Sequence, residues 1–294
     1  MTGGVAVTFH GVRGSTPCDG PHLARYGGNT SCVTIEVPGQ LPIVFDLGTG
    51  LRNFGLALHE QGRAEGFHAS VLLSHLHWDH VQGLPFFAPL HDPDALLDVY
   101  GPRQSDGPLG EVFSGLMRPP YFPIRPEQLE GTVVFHDVGD DDFPIGTAKI
   151  RSRWVRHVGP TLGYRLDWNG VSVAYVSDHG QGCSHGGFEG DEFVPHEVLE
   201  LCDGVDLLIH DAQHTPGEFE RKRQWGHCTV DYALHVAREA GAQRLALFHH
   251  DPSHVDAQVD VLLRDALDVV DRNGGGEVFA AYEGLAIDLA PRHR

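Results

Sequence analysis

The stretch Val71-Leu72-Leu73-Ser74-His75-Leu76-His77-Trp78-Asp79-His80 decides how the rest of the chain is read. Ser70–Ser74 reads as a buried strand that feeds straight into a polar cluster. His75 therefore emerges at a strand's C-terminal end, where α/β folds place their sites. Residues two apart in an extended segment share one side, so His75 and His77 can grip a single ion. Adjacent Asp79 and His80 need a turn to converge, which places them on a second ion nearby. Two imidazoles plus a mixed Asp/His pair suit zinc, iron or manganese better than calcium, which prefers all-oxygen cages. The apolar run Gly83-Leu84-Pro85-Phe86-Phe87 follows. Burying this many ionisable groups between apolar segments without a cation would be costly, so a metal centre fits better than a solvated loop.

Upstream, Val5–His10, Cys32–Val37 and Ile43–Asp46 are short β-branched runs that predict an opening β-meander. Leu51, Phe54 and Leu58 stand at helical spacing and predict a first helix over Gly50–Gln61, closed by Gly62. Downstream, residues 101–130 are rich in Gly and Pro and read as a long loop with one short helix around Glu111–Met117. Strands are expected at Thr132–Val138, Ala148–Val155, Thr161–Leu166 and Val171–Ser177. The order then becomes strand, helix, strand, helix over Asp206–His210, Thr229–Ala240, Arg244–Phe248 and Val255–Arg272. Two mixed β-sheets, each covered by helices on its outer face, satisfy this α/β order. Gly and Pro are spread along the chain, with no repeat or composition shift, so residues 1–294 are expected to form a single domain.

The 294 residues carry 21 Lys and Arg against 40 Asp and Glu, a formal net charge of −19, with 41% hydrophobic residues. That hydrophobic share closes a core and excludes wholesale disorder. No apolar run approaches the roughly 20 residues needed to span a bilayer, so no membrane partner is expected. The start MTGGVAVTFHG lacks a basic n-region and a long apolar stretch, so no secretory signal is expected either. Cys18, Cys32, Cys183, Cys202 and Cys228 are odd in number and never spaced as CxxC. They fit a reducing cytoplasm rather than a disulfide scaffold. The acidic balance argues against a broad electrostatic grip on a nucleic-acid backbone. The 21 histidines equal all Lys and Arg together, and histidine is the commonest metal ligand among side chains.

The HxHxDH pattern of His75, His77, Asp79 and His80 resembles the signature of the metallo-β-lactamase superfamily, and the resemblance extends over nearly the whole chain. Asp46 in VFDLGTG resembles that superfamily's early structural aspartate. His157 in VRHVGPTLGYRL is similar to its next ligand, with the GYRL that recurs in the RNase Z-like branch. Asp178 in AYVSDHG resembles the metal-bridging aspartate, and His249 in LALFHHDP the final ligand histidine. The resemblance implies an αββα four-layer sandwich with the site in the cleft between the sheets. It implies two divalent ions, zinc first and manganese or iron as alternatives. His75, His77 and His157 would hold one, Asp79, His80 and His249 the other, and Asp178 would bridge. Adjacent residues on a strand face opposite ways, so one of His249 and His250 is expected as a ligand, and registry gives His249.

Asp211 in LLIHDAQHT and His227 in WGHCT resemble an acid–histidine pair of the RNase Z and cyclic-phosphodiesterase branch. This chain departs from that branch with Cys228 for Ser and His179 for Thr. By that resemblance Asp211 holds the tautomer of His227 and favours its charged form. His227 can then protonate a leaving alkoxide or stabilise a phosphoryl oxygen. The bland alternative has His227 merely preceding the helix that begins at Thr229. His210 and His214 stand four apart, but His210 ends a strand, so helical zinc-pair spacing does not apply. His59, His68, His91, His136, His185, His196, His235 and His293 have no partners at recognisable spacing and read as surface or core. The Gly-rich first loop over residues 10–32 resembles that of RNase Z-like proteins, with Arg13, Arg25, Asn29 and Ser31 as candidates to reach a phosphate. It lacks the spacing of a P-loop, and a structural loop that merely packs on the sheet fits these residues equally well.

The expected activity is that of a dinuclear metal-dependent hydrolase, a phosphodiesterase acting on a small phosphodiester such as a cyclic nucleotide. Attack comes from a metal-bridging hydroxide oriented by Asp79 and Asp178, while His227, steadied by Asp211, assists the leaving oxygen. Residues 101–130 hold only Arg103, Arg118 and Arg125 as cations, so extended nucleic acid is not an expected partner. The alternatives are a tRNA 3′-processing RNase Z-like endonuclease and a hydrolase of a thioester, lactone or β-lactam. A metal-dependent sensor without turnover stands behind them, and a homodimer is left open.

Overall fold

The structure, a computed structural model, describes residues 4–184 and 186–291; His185 and His293 lie outside the described residues. The chain opens with β1 (Val5–Gly11), β2 (Cys32–Glu36) and β3 (Ile43–Phe45), each antiparallel to the next, which is the expected meander. Helix α1 (Gly50–Glu60) follows, and Gly62 at φ +67° turns the chain out of it. Then come β4 (His68–Leu72), the single-turn α2 (Trp78–Val81), β5 (Leu96–Pro102), α3 (Leu109–Leu116) and β6 (Thr132–Val138). The strands β3, β4, β5 and β6 pair in parallel.

The second half repeats the plan. Strands β7 (Asp142–Ile145), β8 (Ala148–Trp154), β9 (Leu162–Trp168) and β10 (Val171–Val176) run antiparallel. A small hairpin, β11 (Cys183–Ser184) with β12 (Gly187–Phe188), and α4 (His196–Cys202) lead into β13 (Leu207–Asp211). Helices α5 (Pro216–Lys222) and α6 (Val230–Glu239) precede β14 (Arg244–Phe248), and α7 (Asp256–Asn273) precedes β15 (Glu277–Ala280). Strand β16 (Ala286–Leu289) crosses back to pair with β1. The two sheets read β16-β1-β2-β3-β4-β5-β6 and β15-β14-β13-β10-β9-β8-β7.

Three apolar layers hold these elements. Val7, Phe9, Phe45, Tyr164, Tyr175, Ile209 and Phe248 fill the space between the sheets. Leu51, Phe54 and Leu58 of α1 and Phe113 of α3 cover the first sheet, while Leu201 of α4, Val236 of α6 and Ala266 of α7 cover the second. The result is the αββα sandwich of two mixed sheets. The Phe45 and Tyr175 rings stack across the interface at 4.6 Å between centroids. Among the described residues, no helix is long and apolar enough to cross a membrane.

Several elements were not anticipated from the sequence, among them β7, the β11–β12 hairpin, α4, α5, β15 and β16. Strand β5 begins ahead of the predicted loop over residues 101–130 and extends into it. Leu97 and Val99 are buried while Leu96, Asp98 and Tyr100 are half-buried, a weak alternation that Gly101-Pro102 cuts short.

Candidate metal centre

Parallel pairing of β10, β13 and β14 brings their C-terminal ends to one rim, with Val176 opposite His210 and Asp211 opposite Phe248. The loops beyond these ends, the loop after β4 and the β8–β9 connection that holds His157 carry the candidate ligands singled out in the sequence. Asp46, at the end of β3, adopts φ +58°, and its carboxylate is the hub of the first loop. It accepts from the Ser74 backbone N–H (2.7 Å), from Ser74 Oγ (2.8 Å), from His80 Nδ1 (2.7 Å) and from the Tyr175 hydroxyl (2.6 Å). Gly14 is required where it stands, because a Cβ there would lie 2.3 Å from His249 Nδ1.

The side chains converge as two groups with a carboxylate between them. His75, His77 and His157 bring ring nitrogens within 4.8 Å of one another, and so do the donor atoms of Asp79, His80 and His249. Asp178 faces both groups. Its Oδ2 lies 3.5 Å from His157 Nε2 and 3.8 Å from His75 Nε2, and its Oδ1 lies 3.2 Å from His80 Nε2 and 3.5 Å from His249 Nε2. Seven residues predicted from separate stretches thus meet in one place. All are buried except His77, which is exposed and marks the mouth of the centre.

Hydrogen bonds on the far side of the rings fix what faces inward. Nδ1 of His80 donates to Asp46, Nδ1 of His157 donates to the Gly226 carbonyl (2.7 Å), and Nδ1 of His249 donates to Gln213 Oε1 (2.9 Å). Ser74 Oγ, already donating to Asp46, accepts from His75 Nδ1 (3.0 Å). Each Nε2 is thereby left as a lone pair aimed into the centre, the arrangement that outer partners impose on metal-ligating histidines. His75 Nε2 is buried with no hydrogen-bond partner, and the Nε2 atoms of His80 and His249 lie 3.3 Å apart. Lone pairs facing one another and two carboxylates at such distances fit a divalent cation.

The electrostatics agree. Burial would raise the carboxyl groups of Asp79 and Asp178, yet His80 and His249 beside them hold both well below the usual carboxylate range. Burial would lower His80, yet Asp79 and Asp178 push it well above its ordinary value. His249 is raised as well, Asp178 and Asp79 outweighing its burial. This group of residues calls for positive charge. In the other group, burial dominates and takes His157 down to about 4 and His75 well below its ordinary value, so these imidazoles stand neutral and ready to coordinate.

Asp211 and His227 sit against this cluster. His227 Nδ1 donates to Asp211 Oδ2 at 2.9 Å and lies 3.6 Å from Asp178 Oδ2. Its ring stacks on His249 at 5.0 Å. Thr229, not His227, caps α6, its hydroxyl accepting from the Tyr232 N–H.

A model of the β-lactamase superfamily domain matches residues 43–250, a span that begins at β3 and ends just past His249. The chain belongs to the β-lactamase superfamily. Within the superfamily, a ribonuclease Z of Haloarcula marismortui is 26% identical over 320 residues, covering 95% of this chain and 95% of that protein. Relatives of this kind put the chain in the RNase Z branch. Among solved structures, the metallo-β-lactamase fold protein YhfI from Bacillus subtilis matches with a TM-score of 0.70 at 20% identity, covering 97% of this chain and 99% of that one. Human tRNase Z, short form, matches with a TM-score of 0.65 at 22% identity, covering 97% and 99%. The coarse activity that follows is metal-dependent hydrolysis.

These superfamily relatives correct one expectation. The acidic balance argues against extended nucleic acid as a partner, yet the relatives that match nearly end to end are named ribonucleases. Net charge averages over a whole surface, whereas a phosphodiester is gripped at one place, and a pair of cations there reverses the local sign. Of the two readings of the first loop, its residues follow the packing one. Arg13 is fully buried and donates to the carbonyls of Gly27 (2.7 Å) and His254 (2.7 Å), so it braces the loop rather than facing a substrate. Arg25 pairs with Asp260, and Asn29 donates to Glu283. Ser31 is buried with its hydroxyl unpartnered. His250 is buried and donates to the Ala281 carbonyl (2.9 Å), away from the cluster. Sequence reasoning passed over Ser74 and Gln213, which accept from the ring nitrogens of His75 and His249, and Tyr175, which donates to the Asp46 carboxylate that holds His80. Only Ser74, directly ahead of the motif, had a position that could have flagged it.

Proposed function

We propose that the protein is a dinuclear metal-dependent phosphodiesterase of the ribonuclease Z kind, cleaving a phosphodiester in RNA. The observation that carries this reading is the Asp211–His227 pair set against Asp178, because a histidine held by a buried carboxylate beside the cluster can deliver the proton that the leaving alkoxide of an RNA phosphodiester needs. Asp178 would bridge the ions, with His75, His77 and His157 on one and Asp79, His80 and His249 on the other. Bound there, divalent cations supply Lewis acidity and water activation at neutral pH. The Nδ1–H of His227, held by Asp211, leaves Nε2 as the nitrogen that delivers a proton to the departing oxygen. Ser15 N–H donates to Asp79 Oδ2 (2.7 Å) and keeps that carboxylate aimed inward. Similarity to ribonucleases Z over nearly the whole chain supports the RNA substrate. The test is incubation of the metal-loaded protein with a precursor tRNA carrying a 3′ trailer. A discrete shortened product is expected, and an intact precursor at full metal occupancy would overturn the reading.

A second reading, hydrolysis of a small phosphodiester such as a cyclic nucleotide, is favoured by one observation. Residues 101–130 carry only Arg103, Arg118 and Arg125 as cations, so that segment supplies no dense basic arm for a folded RNA. Measuring cyclic AMP hydrolysis beside precursor cleavage, over a salt series, separates the two.

A further inference from the structure

Helix α2 divides its residues between two tasks. Asp79 and His80 turn toward the metal cluster, whereas Trp78 and Val81, three apart and so on one helical face, turn to the other side. There they form one wall of a cleft of about 220 Å³. Phe113, Leu116, Met117, Tyr121 and Phe122 line it too, together with Phe86, whose ring is edge-to-face with Phe122 at 5.9 Å. Phe113 and Met117 are buried and make a floor, but three large aromatic side chains stay open to solvent: Trp78 at 64%, Phe86 at 59% and Tyr121 at 67%. The Arg118 guanidinium lies 5.9 Å from the Tyr121 ring.

Leaving three large aromatic rings wet in one place costs hydrophobic stabilisation and marks a binding surface. The position of this one is informative. The residue before Trp78 is His77, the exposed residue at the mouth of the metal centre, and Trp78 shares α2 with Asp79 and His80, so the cleft adjoins the centre along this one helical turn. The cleft offers flat apolar faces with few polar groups, Thr49 and Gln82 among them, and Arg118 stands beside Tyr121; stacking faces with little hydrogen-bond code are how proteins hold an unpaired base of any identity.

On the reading above as a phosphodiesterase, we propose that this aromatic cleft is a base subsite, taking an unpaired nucleobase next to the scissile phosphodiester by stacking on Trp78, Phe86 and Tyr121. Trp78 and Tyr121 then set which phosphodiesters are good substrates, while the metal cluster sets how fast any of them reacts.

The experiment compares two esters with the same leaving group, thymidine 5′-(p-nitrophenyl) phosphate and methyl p-nitrophenyl phosphate, on the metal-loaded protein and on Trp78→Ala and Tyr121→Ala. Each substitution is expected to lower the preference for the nucleotide ester, as a ratio of kcat/KM values, by about ten- to hundredfold, the range set by losing one base–aromatic stack. The loss is expected in KM rather than kcat. An equal fall on both esters, or an unchanged ratio in Tyr121→Ala, which lies well outside the ligand loop, would overturn the proposal. A binding arm is independent of turnover: fluorescence quenching by uridine monophosphate and by a short oligouridylate, expected in the parent and absent in Trp78→Phe. Quenching by both assigns a single-base site, and quenching by the oligonucleotide alone extends it to a strand. Quenching by phosphatidylcholine vesicles but by neither nucleotide would overturn the base assignment. Should neither ester turn over while quenching persists, the phosphodiesterase reading fails and the cleft assignment stands.

Discussion

The two halves of the sandwich supply one centre in opposite ways. The N-terminal half delivers His75, His77, Asp79 and His80 from a single loop behind β4, with Asp46 gripping that loop from the neighbouring strand. The C-terminal half delivers His157, Asp178 and His249 from three separate connections, and Asp211 from the end of β13. Local chain geometry aligns the first set: alternation in an extended segment and one helical turn. Sheet register aligns the second, since parallel pairing of β10, β13 and β14 fixes where their ends emerge. A compact motif announces itself by spacing, whereas a distributed one exists only after folding.

Asp178 is where the two contributions meet, because its oxygens face residues of both halves. Asp178→Ala should therefore have the largest effect. A loss of about a thousandfold or more in kcat is expected, as several kcal/mol of charge stabilisation disappear with the bridging position. Metal content measured by plasma mass spectrometry should fall in parallel. Retained activity and full metal content would show that each half holds its ion without the other. Asp211→Asn should cost less, about a hundredfold in kcat, because proton delivery suffers while the ligands remain. Metal content equal to the parent's is the control that separates it from Asp178.

The same contrast explains what the sequence made legible. The β-meander, α1 and the strand order were readable because β-branched runs and the Leu51, Phe54, Leu58 spacing are local signals. The HLHWDH loop was readable because four donors stand within six residues. His157, Asp178 and His249 were found through resemblance to a family; by residue type alone each is an ordinary polar residue after a strand. The roles of Gln213, Tyr175 and buried Arg13 were not legible, since each depends on hydrogen-bond partners that the fold supplies from other parts of the chain. Whole-chain charge misled about partners because it carries no position.

Supporting residues sharpen the comparison further. Asp46 orients His80 in the N-terminal set, and Gln213 orients His249 in the C-terminal set. Asp46→Asn should weaken metal affinity by about ten- to hundredfold, measured by competition with a chromophoric chelator. It replaces an anion that accepts four hydrogen bonds. Gln213→Ala removes a neutral acceptor from a ring that Gly14 also packs against, so an effect near the lower end, about tenfold, is expected. Equal effects would mean that local and register-built ligands are held with the same stiffness.

The smallest effect tests the strut between the halves. The Tyr175 hydroxyl, on β10, donates to Asp46 Oδ2 at 2.6 Å, joining the distributed set to the anchor of the compact one. Tyr175→Phe keeps the ring stacked on Phe45, and Asp46 keeps its bonds from Ser74 and His80. What is lost is one buried hydrogen bond to a charged acceptor, about 2 kcal/mol. Thermal unfolding of the metal-free protein should drop by a few degrees, with metal affinity changing less than about tenfold. Lower affinity at unchanged stability would make Tyr175 a positioning residue for Asp46 rather than a tie between sheets. No change in either quantity would mean that neither half braces the other, and that the ligand loop holds its shape through β3 and β4 alone.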